Sequence, residues 1–369
     1  MKILQVGKFY PIKGGVEKVM YDLMTGLSAR GTACDMLCAA IDGRTRTVEL
    51  EHGARLFCCH TLKKMAGTMI SPSMVQTARR ICSGYDVIHV HHPDPTACFA
   101  LWVSGFKGKV VLHWHSDIVR QKRLLKMYLP MQEWLIRRAD LILGTSPVYV
   151  AKSPYLRQVQ HKISCLPIGI DAVEPDIEGA ERIRQRYGGR KIIYTLGRLV
   201  PYKGFKHLVA AAKFLPDDFV VVIGGNGPLH DDLEQQIADE GLTGKVVLAG
   251  RIDDAEIAAH YTACTLFCLP SVQKTEAFGI VQIEAMSCGK PVVATKIPDS
   301  GVAWVNKHGV SGLNVAPGNP RALADAVLQI VADDATYANF CKNAREHFRS
   351  HFTIDAMIEK CMAYYRGLE

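Results

Sequence analysis

The sequence predicts an α/β protein of two Rossmann-like domains, each a parallel sheet with helices on both faces. Three observations carry this. Short apolar runs alternate with helical stretches, the pattern of parallel strands joined by crossover helices. The series is interrupted by Pro and Gly in LPIGIDAVEPD, residues 166–176, and then begins again. At 369 residues the chain also exceeds what one core usually organises. The expected division is a first domain over 1–170, a second over 171–350, and a closing helix over 351–369.

Taken in order, KILQVGKFY is the first strand, GGVEKVMYDLMTGLSARG a helix ending at Gly31, and ACDMLCAA the second strand. YDVIHVHH, GKVVLHWHS and ADLILGTS follow as strands, each running into a polar loop. The second series has RKIIYTLGRLV, a helix through HLVAAAKFL, DFVVVIGGNGP, a helix near DLEQQIADEG, KVVLAGRI, CTLFCLPS, KPVVAT and SGLNV. FTIDAMIEKCMAYYRGL reads as a final helix with Thr353 at its N-cap. In open parallel sheets ligands bind beyond the carboxyl ends of the strands. Two such sets of loops suggest a cleft between the domains.

Composition narrows the class. Apolar residues make up 48% and charged residues 22%, ordinary for a soluble enzyme. No apolar run approaches the length of a membrane span, and the start reads as a strand rather than a secretory signal. The twelve cysteines are scattered without zinc-knuckle spacing, so they are expected to be reduced and mostly buried, as in a cytoplasmic protein. Charge is uneven: residues 1–170 hold 23 Lys and Arg against 11 Asp and Glu, and the remainder 21 against 25. A basic first half suits an anionic membrane surface or a phosphorylated substrate. No nucleic-acid module accompanies it.

The polar motifs sit in the expected loops. GRLVPYKG, Gly197 to Gly204, puts Arg198 and Lys203 after a strand, where a fork and a point charge suit a diphosphate. GGNGP lacks the third glycine of a dinucleotide fingerprint and reads as a tight turn near a ligand. In TEAFGIVQIEAMSCG, Glu276 and Glu284 lie eight positions apart. If the helix is counted across that interval they are about 12 Å apart along its axis, too far to share a proton. Phe278, Gly279 and Ile280 stand where a helix begins, and free N–H groups there suit phosphate oxygens. Glu284 is set among apolar residues, so its carboxylate is expected to have a partner.

The histidines of YDVIHVHH and His113 read as packed residues, whereas His115 and Asp117 fall in the loop after their strand, better placed to meet substrate. IVRQKRLLKMYLPMQEWLIRRAD mixes Lys and Arg with Leu, Met, Tyr and Trp, with a break expected at Pro130. Such a segment suits an anionic membrane or a helix with a basic outer face.

Together these residues resemble glycosyltransferase family 4, retaining transferases of the two-domain GT-B fold. GKFYPIKGGVE is similar to the family's glycine-rich first loop, GRLVPYKG to its phosphate loop and TEAFGIVQIEA to its E-x7-E motif. The resemblance implies that Glu284 holds the donor ribose and Glu276 the sugar hydroxyls. It implies backbone contacts from Phe278, Gly279 and Ile280, and diphosphate neutralisation by Arg198 and Lys203. Gly14 and Gly15 would let the first loop approach the substrates, His115 would lie near the sugar, and Arg251 and Ile252 near the base. No metal and no cofactor are implied, the nucleotide sugar being a substrate. The likeness extends to bacterial surface-polysaccharide mannosyl- and rhamnosyltransferases. It implies a GDP-linked donor, a glycan or lipid-diphosphate-linked acceptor, and a place on the inner face of the cytoplasmic membrane. A UDP-sugar donor and a nucleotide-sugar epimerase are the alternatives. A nicotinamide dehydrogenase fails on the fingerprint.

Overall fold

The computed structural model describes residues 1–12, 15–65, 67–118 and 122–368. Contacts divide the chain into two units: Met1–Gly169 with Ile354–Glu369, and Ile170–Thr353.

The first unit carries strands β1 (Lys2–Tyr10), β2 (Ala33–Ala40), β3 (Arg46–Glu49), β4 (Arg55–His60), a hairpin β5 (Lys63–Met65) and β6 (Thr68–Ile70), then β7 (Val87–His92), β8 (Lys109–Trp114), β9 (Leu141–Gly144) and β10 (Ile163–Cys165). Its large sheet has the order β10-β9-β8-β7-β1-β2-β4-β3. The strands run parallel except β3, which pairs antiparallel with β4 at the edge. The residues of β7 are buried throughout, as expected of a parallel strand covered on both faces. Helices Val16–Ala29, Pro72–Ile81, Pro95–Ser104 and Lys122–Arg138 connect strands, and Ile354–Arg366 packs against Val16–Ala29. Asp94 and Ser71 cap two of these starts through their side chains, each followed by Pro at the first helical position, the usual chemistry of a helix entry. Helix Lys122–Arg138 continues through Pro130 instead of breaking there. A proline removes one backbone donor, a loss this 17-residue helix carries.

The second unit holds β11 (Lys191–Leu196), β12 (Phe219–Gly224), β13 (Val246–Gly250), β14 (Leu266–Leu269), β15 (Val292–Thr295) and β16 (Gly312–Val315) in one parallel sheet, order β13-β12-β11-β14-β15-β16. Leu208, Val209, Phe219, Val221, Leu233, Leu323, Val327 and Ile330 fill one face of it, each buried side chain contributing about 1.5–3 kcal/mol. In both sheets the chain leaves the first strand toward one edge and later returns to its other side. The strand order therefore reverses between β1 and β7, and between β11 and β14. Such switch points are where open α/β sheets hold ligands.

All twelve cysteines are free, and all but Cys165 and Cys341 are buried. Among the described residues no helix is long and apolar enough to cross a membrane.

Candidate active site

In the second unit the switch point is built from the loops that follow β11 and β14. They are tied backbone to backbone: Val272 N–H donates to Tyr202 O at 2.8 Å. Gly204 has φ 69°, and a Cβ there would stand 2.2 Å from Pro270 O. Only glycine combines that left-handed turn with so close an approach. Lys203 is thereby turned inward. Its Nζ lies 2.6 Å from Glu276 Oε2, both side chains being buried. Ser271 Oγ donates to the same oxygen at 3.0 Å, and Ser300 Oγ donates to the Glu276 carbonyl. Glu276 is held by its side chain and its main chain at once.

Downstream, helix Ile280–Ser287 starts from Gly279 at φ 75°, ψ 67°, with no side-chain cap. Its first N–H groups and the positive end of its dipole are thus available to an anion. Phe278 is buried with its ring edge-on to Phe352, and its carbonyl accepts from Gln282 Nε2 at 2.6 Å. Glu276 precedes this helix, so the 12 Å axial spacing expected for the two glutamates does not apply. Only Glu284 is helical, one turn beyond Ile280.

Glu284 does have a partner. Tyr261, on helix Asp254–Ala263, donates to its Oε2 at 2.6 Å. Burial pushes the Glu284 carboxyl above the ordinary carboxylate range, against the pull of the Tyr261 hydrogen bond and the Lys203 charge. Lys203 therefore acts on both glutamates, as an ion pair with one and a field on the other. Arg198 is exposed and makes no hydrogen bond or ion pair among the described residues. Its fork remains available to a ligand.

The glycines of GGNGP admit close backbone approach, here by the loop that follows β11. A Cβ on Gly225 would stand 2.0 Å from Gly197 O, and one on Gly227 would stand 2.4 Å from Leu199 O. They admit the neighbouring loop, whose Leu199 N–H donates to Asn226 O at 3.0 Å. Gly225 N–H in turn reaches Gly250 O, so the end of β13 joins the same array. There Arg251 is exposed, while Ile252 is buried against Gly224.

In the first unit, Gly15 opens helix Val16–Ala29 at φ 63°, ψ −136°, a backbone region essentially reserved for glycine. Gly14 lies outside the described residues. The end of β1 is tied to the loop after β7 by Asp94, which accepts from the Lys8 N–H at 2.6 Å and caps its own helix by accepting from the Ala97 N–H at 3.0 Å.

His115 is not turned outward, as its loop position suggests, but buried in a stack of rings. His113 lies 4.0 Å from it, His91 5.2 Å, and His89 4.6 Å from His91, centroid to centroid. His115 Nε2 meets His91 Nδ1 at 2.9 Å. Desolvation holds all four well below the usual histidine range, His113 at about 3. They are neutral at physiological pH. Nitrogens of His89, His91 and His113 lie within 4.8 Å of one another. Their rings are nevertheless stacked or tilted by 15–37°, so in-plane lone pairs do not converge as they do in a tetrahedral metal shell.

Sequence reading missed several of these groups. Tyr261, Ser271 and Ser300 carry no local signal, because ordinary hydroxyl residues acquire their role only across the fold. Gln5, whose buried Oε1 lies 2.7 Å from His91 Nε2, did carry one: a polar side chain inside the apolar run KILQV.

Similarity to known proteins accords with this geometry. Residues 176–347 match the group 1 glycosyl transferases, and residues 13–174 match glycosyltransferase family 4. O-antigen chain mannosyltransferase C of Escherichia coli is 31% identical over 372 residues, covering 100% of this chain and 99% of that one. D-rhamnosyltransferase WbpZ of Pseudomonas aeruginosa is 30% identical over 362 residues, covering 96% and 92%. In fold, HepE of Anabaena in complex with UDP superposes with a TM-score of 0.78 at 22% identity over 100% of both chains. The chain belongs to glycosyltransferase family 4 and is a retaining hexosyltransferase of the GT-B fold.

Proposed function

We propose that the protein transfers a hexosyl group, mannose or a close relative, from a GDP-linked donor to a lipid-linked glycan in surface-polysaccharide assembly. The observation that carries this reading is full-length similarity to a mannosyltransferase and a rhamnosyltransferase. The polar array at the second unit's switch point supports it. In this reading Arg198 and Lys203 neutralise the diphosphate, with the start of helix Ile280–Ser287 beneath it. Glu284 holds the ribose, Glu276 the sugar hydroxyls, and Arg251 with Ile252 the base. Phe278, Gly279 and Ile280 contribute backbone. Gly14, Gly15 and His115 act from the first unit, the acceptor side.

The chemistry suits this set. Breaking the anomeric C–O bond puts negative charge on the departing diphosphate, where fixed cations and a helix dipole stabilise it. A leaving-group oxygen takes the acceptor hydroxyl's proton as the new C–O bond forms on the same face. Glu276, held by Lys203 and Ser271, positions the donor and is not assigned as a nucleophile. The positive balance of residues 1–170 supports peripheral attachment to an anionic membrane on its cytoplasmic face.

A thermal-shift comparison of GDP, UDP, GDP-mannose and UDP-glucose tests the donor. A ligand at 100 times its Kd adds about 2.7 kcal/mol to stability, so GDP and GDP-mannose should raise Tm well above the uridine pair. A larger shift with UDP overturns the base assignment. Conversion of donor to an isomer without acceptor would indicate epimerisation instead.

A further inference from the structure

The histidine stack is ordered by a hydrogen-bonded chain that runs in one direction. Gln5 lies at its centre, buried in β1. Its Nε2 donates to the Tyr365 hydroxyl at 3.2 Å, so its Oε1 is the atom that faces His91 Nε2 at 2.7 Å. An amide oxygen only accepts, so His91 carries its hydrogen on Nε2. A neutral imidazole has one N–H, which leaves His91 Nδ1 bare. The contact at 2.9 Å is then a hydrogen bond donated by His115 Nε2. By the same count His115 Nδ1 carries no hydrogen. It is buried and without a hydrogen-bond partner among the described residues. At the far end, the Tyr365 hydroxyl accepts from Gln5 and turns its own hydrogen to His89 Nδ1 at 2.5 Å.

Every link depends on Gln5. Rotating its amide by half a turn would reverse each donor and acceptor and move the His115 hydrogen to Nδ1. The chain needs neutral rings, and burial keeps them so. His89 Nε2 and both His113 nitrogens are likewise buried without a partner among the described residues, but His115 Nδ1 is the one that the hydrogen-bonded chain fixes as a bare acceptor. A buried polar atom without a partner is costly, and a bare imidazole nitrogen accepts one hydrogen bond from a hydroxyl.

We infer that Gln5 and His91 are positioning residues that hold His115 in its Nε2–H form, presenting Nδ1 as a fixed acceptor for a hydroxyl of the transferred sugar. This rests on the reading that His115 serves the donor sugar. It adds which nitrogen does so and what sets it. His115 is then an orienting acceptor and cannot act as a general acid.

Nuclear magnetic resonance of the full chain labelled with ¹⁵N-histidine tests the relay without turnover. Long-range ¹H–¹⁵N correlations distinguish the two tautomers, and a His115→Gln variant assigns the residue. His91 and His115 are both expected as Nε2–H forms. An Nδ1–H form at His115, an averaged pair, or an imidazolium at pH 7 overturns the inference. Adding GDP-mannose is expected to move the His115 Nδ1 resonance to lower frequency, and GDP alone is not. A bound GDP-mannose that leaves Nδ1 unmoved also overturns it.

Kinetics supply the complementary arm, with GDP release from GDP-mannose as the readout. His91→Phe keeps the ring but removes the acceptor, and should lower kcat about tenfold, the weight of one hydrogen bond, at unchanged KM. His91→Asn restores an acceptor near Nδ1 and should recover most of that loss. Wild-type kcat in a folded His91→Phe variant rejects the positioning role. If the Phe variant does not fold, the wild-type spectra still decide. Absence of any GDP-mannose binding by the wild type would instead defeat the donor reading, while the tautomer in the free protein stands or falls on its own spectrum.

Discussion

Lys203 Nζ and Glu276 Oε2 stand 2.6 Å apart in a buried ion pair that joins the two loops of the second unit's switch point. Removing one member strands the other. Lys203→Ala should cost about 3 kcal/mol of stability, the usual penalty for an uncompensated buried charge. The Lys203→Ala/Glu276→Ala double variant should cost clearly less than the two single changes together. Urea denaturation of the four proteins measures this, and additive losses would mean that the pair is not coupled. Transfer activity should be lost in all three variants.

Arg198 gives the opposite profile. It is exposed and bonded to nothing among the described residues, so Arg198→Ala should change stability by no more than about 0.5 kcal/mol. Turnover should nevertheless fall about 100-fold or more if its fork meets the departing diphosphate. A folded Arg198→Ala enzyme with near-normal kcat would remove Arg198 from the site.

Glu284 should make nucleotide binding depend on pH. Burial raises its carboxyl above the ordinary range, and only the ionised form accepts two ribose hydroxyls. GDP affinity should therefore weaken as pH falls through that raised value, at a higher pH than for an exposed carboxylate. Tyr261→Phe removes the hydrogen bond that opposes the rise and should move the midpoint further up. The linked effect on stability has a definite sign. Between the ordinary carboxylate value and the raised one, the folded state binds more protons, so stability falls as pH increases. Glu284→Gln should flatten that segment. Calorimetric titration of GDP and denaturation across pH check the two halves.

Gly204 separates backbone freedom from close approach. Gly204→Ala meets both a left-handed φ and the Pro270 carbonyl, whereas Gly188→Ala has φ 65° with open space around it. The second should cost about 1 kcal/mol, and the first should cost substantially more and lower activity through displacement of Lys203. Equal losses by denaturant melts would show that the two loops can part freely.

The parts legible in the sequence were those governed by local pattern. β12, FVVVIG, is apolar throughout because a parallel strand is covered on both faces. Lys203, Glu276 and Glu284 fall in motifs short enough to read. β4, RLFCCH, is hard to discern as a strand in the sequence, since two cysteines and flanking polar residues blur its periodicity. The β5–β6 hairpin, KKM and TMI, has too few apolar residues to give a period at all. Tyr261 lies 23 positions before Glu284 on a different helix, and no local rule pairs them. The inward turn of His115 depends on His113 of β8, the strand that leads into it, and on His89 and His91 of the neighbouring β7, a matter of register rather than of composition.

The histidine-filled interior of the first unit also sets how the protein tolerates acid. His92 and His113 are held at about 3 in the fold, while an unfolded histidine protonates near 6.5. As pH drops below that value, the unfolded chain takes up protons that the folded unit refuses. Each such histidine then withdraws about 1.4 kcal/mol of stability per pH unit. Mild acidification should therefore unfold this unit steeply, and His113→Phe should reduce the slope by about one proton. Assays, storage buffers and crystallisation trials below pH 6 would work against this interior.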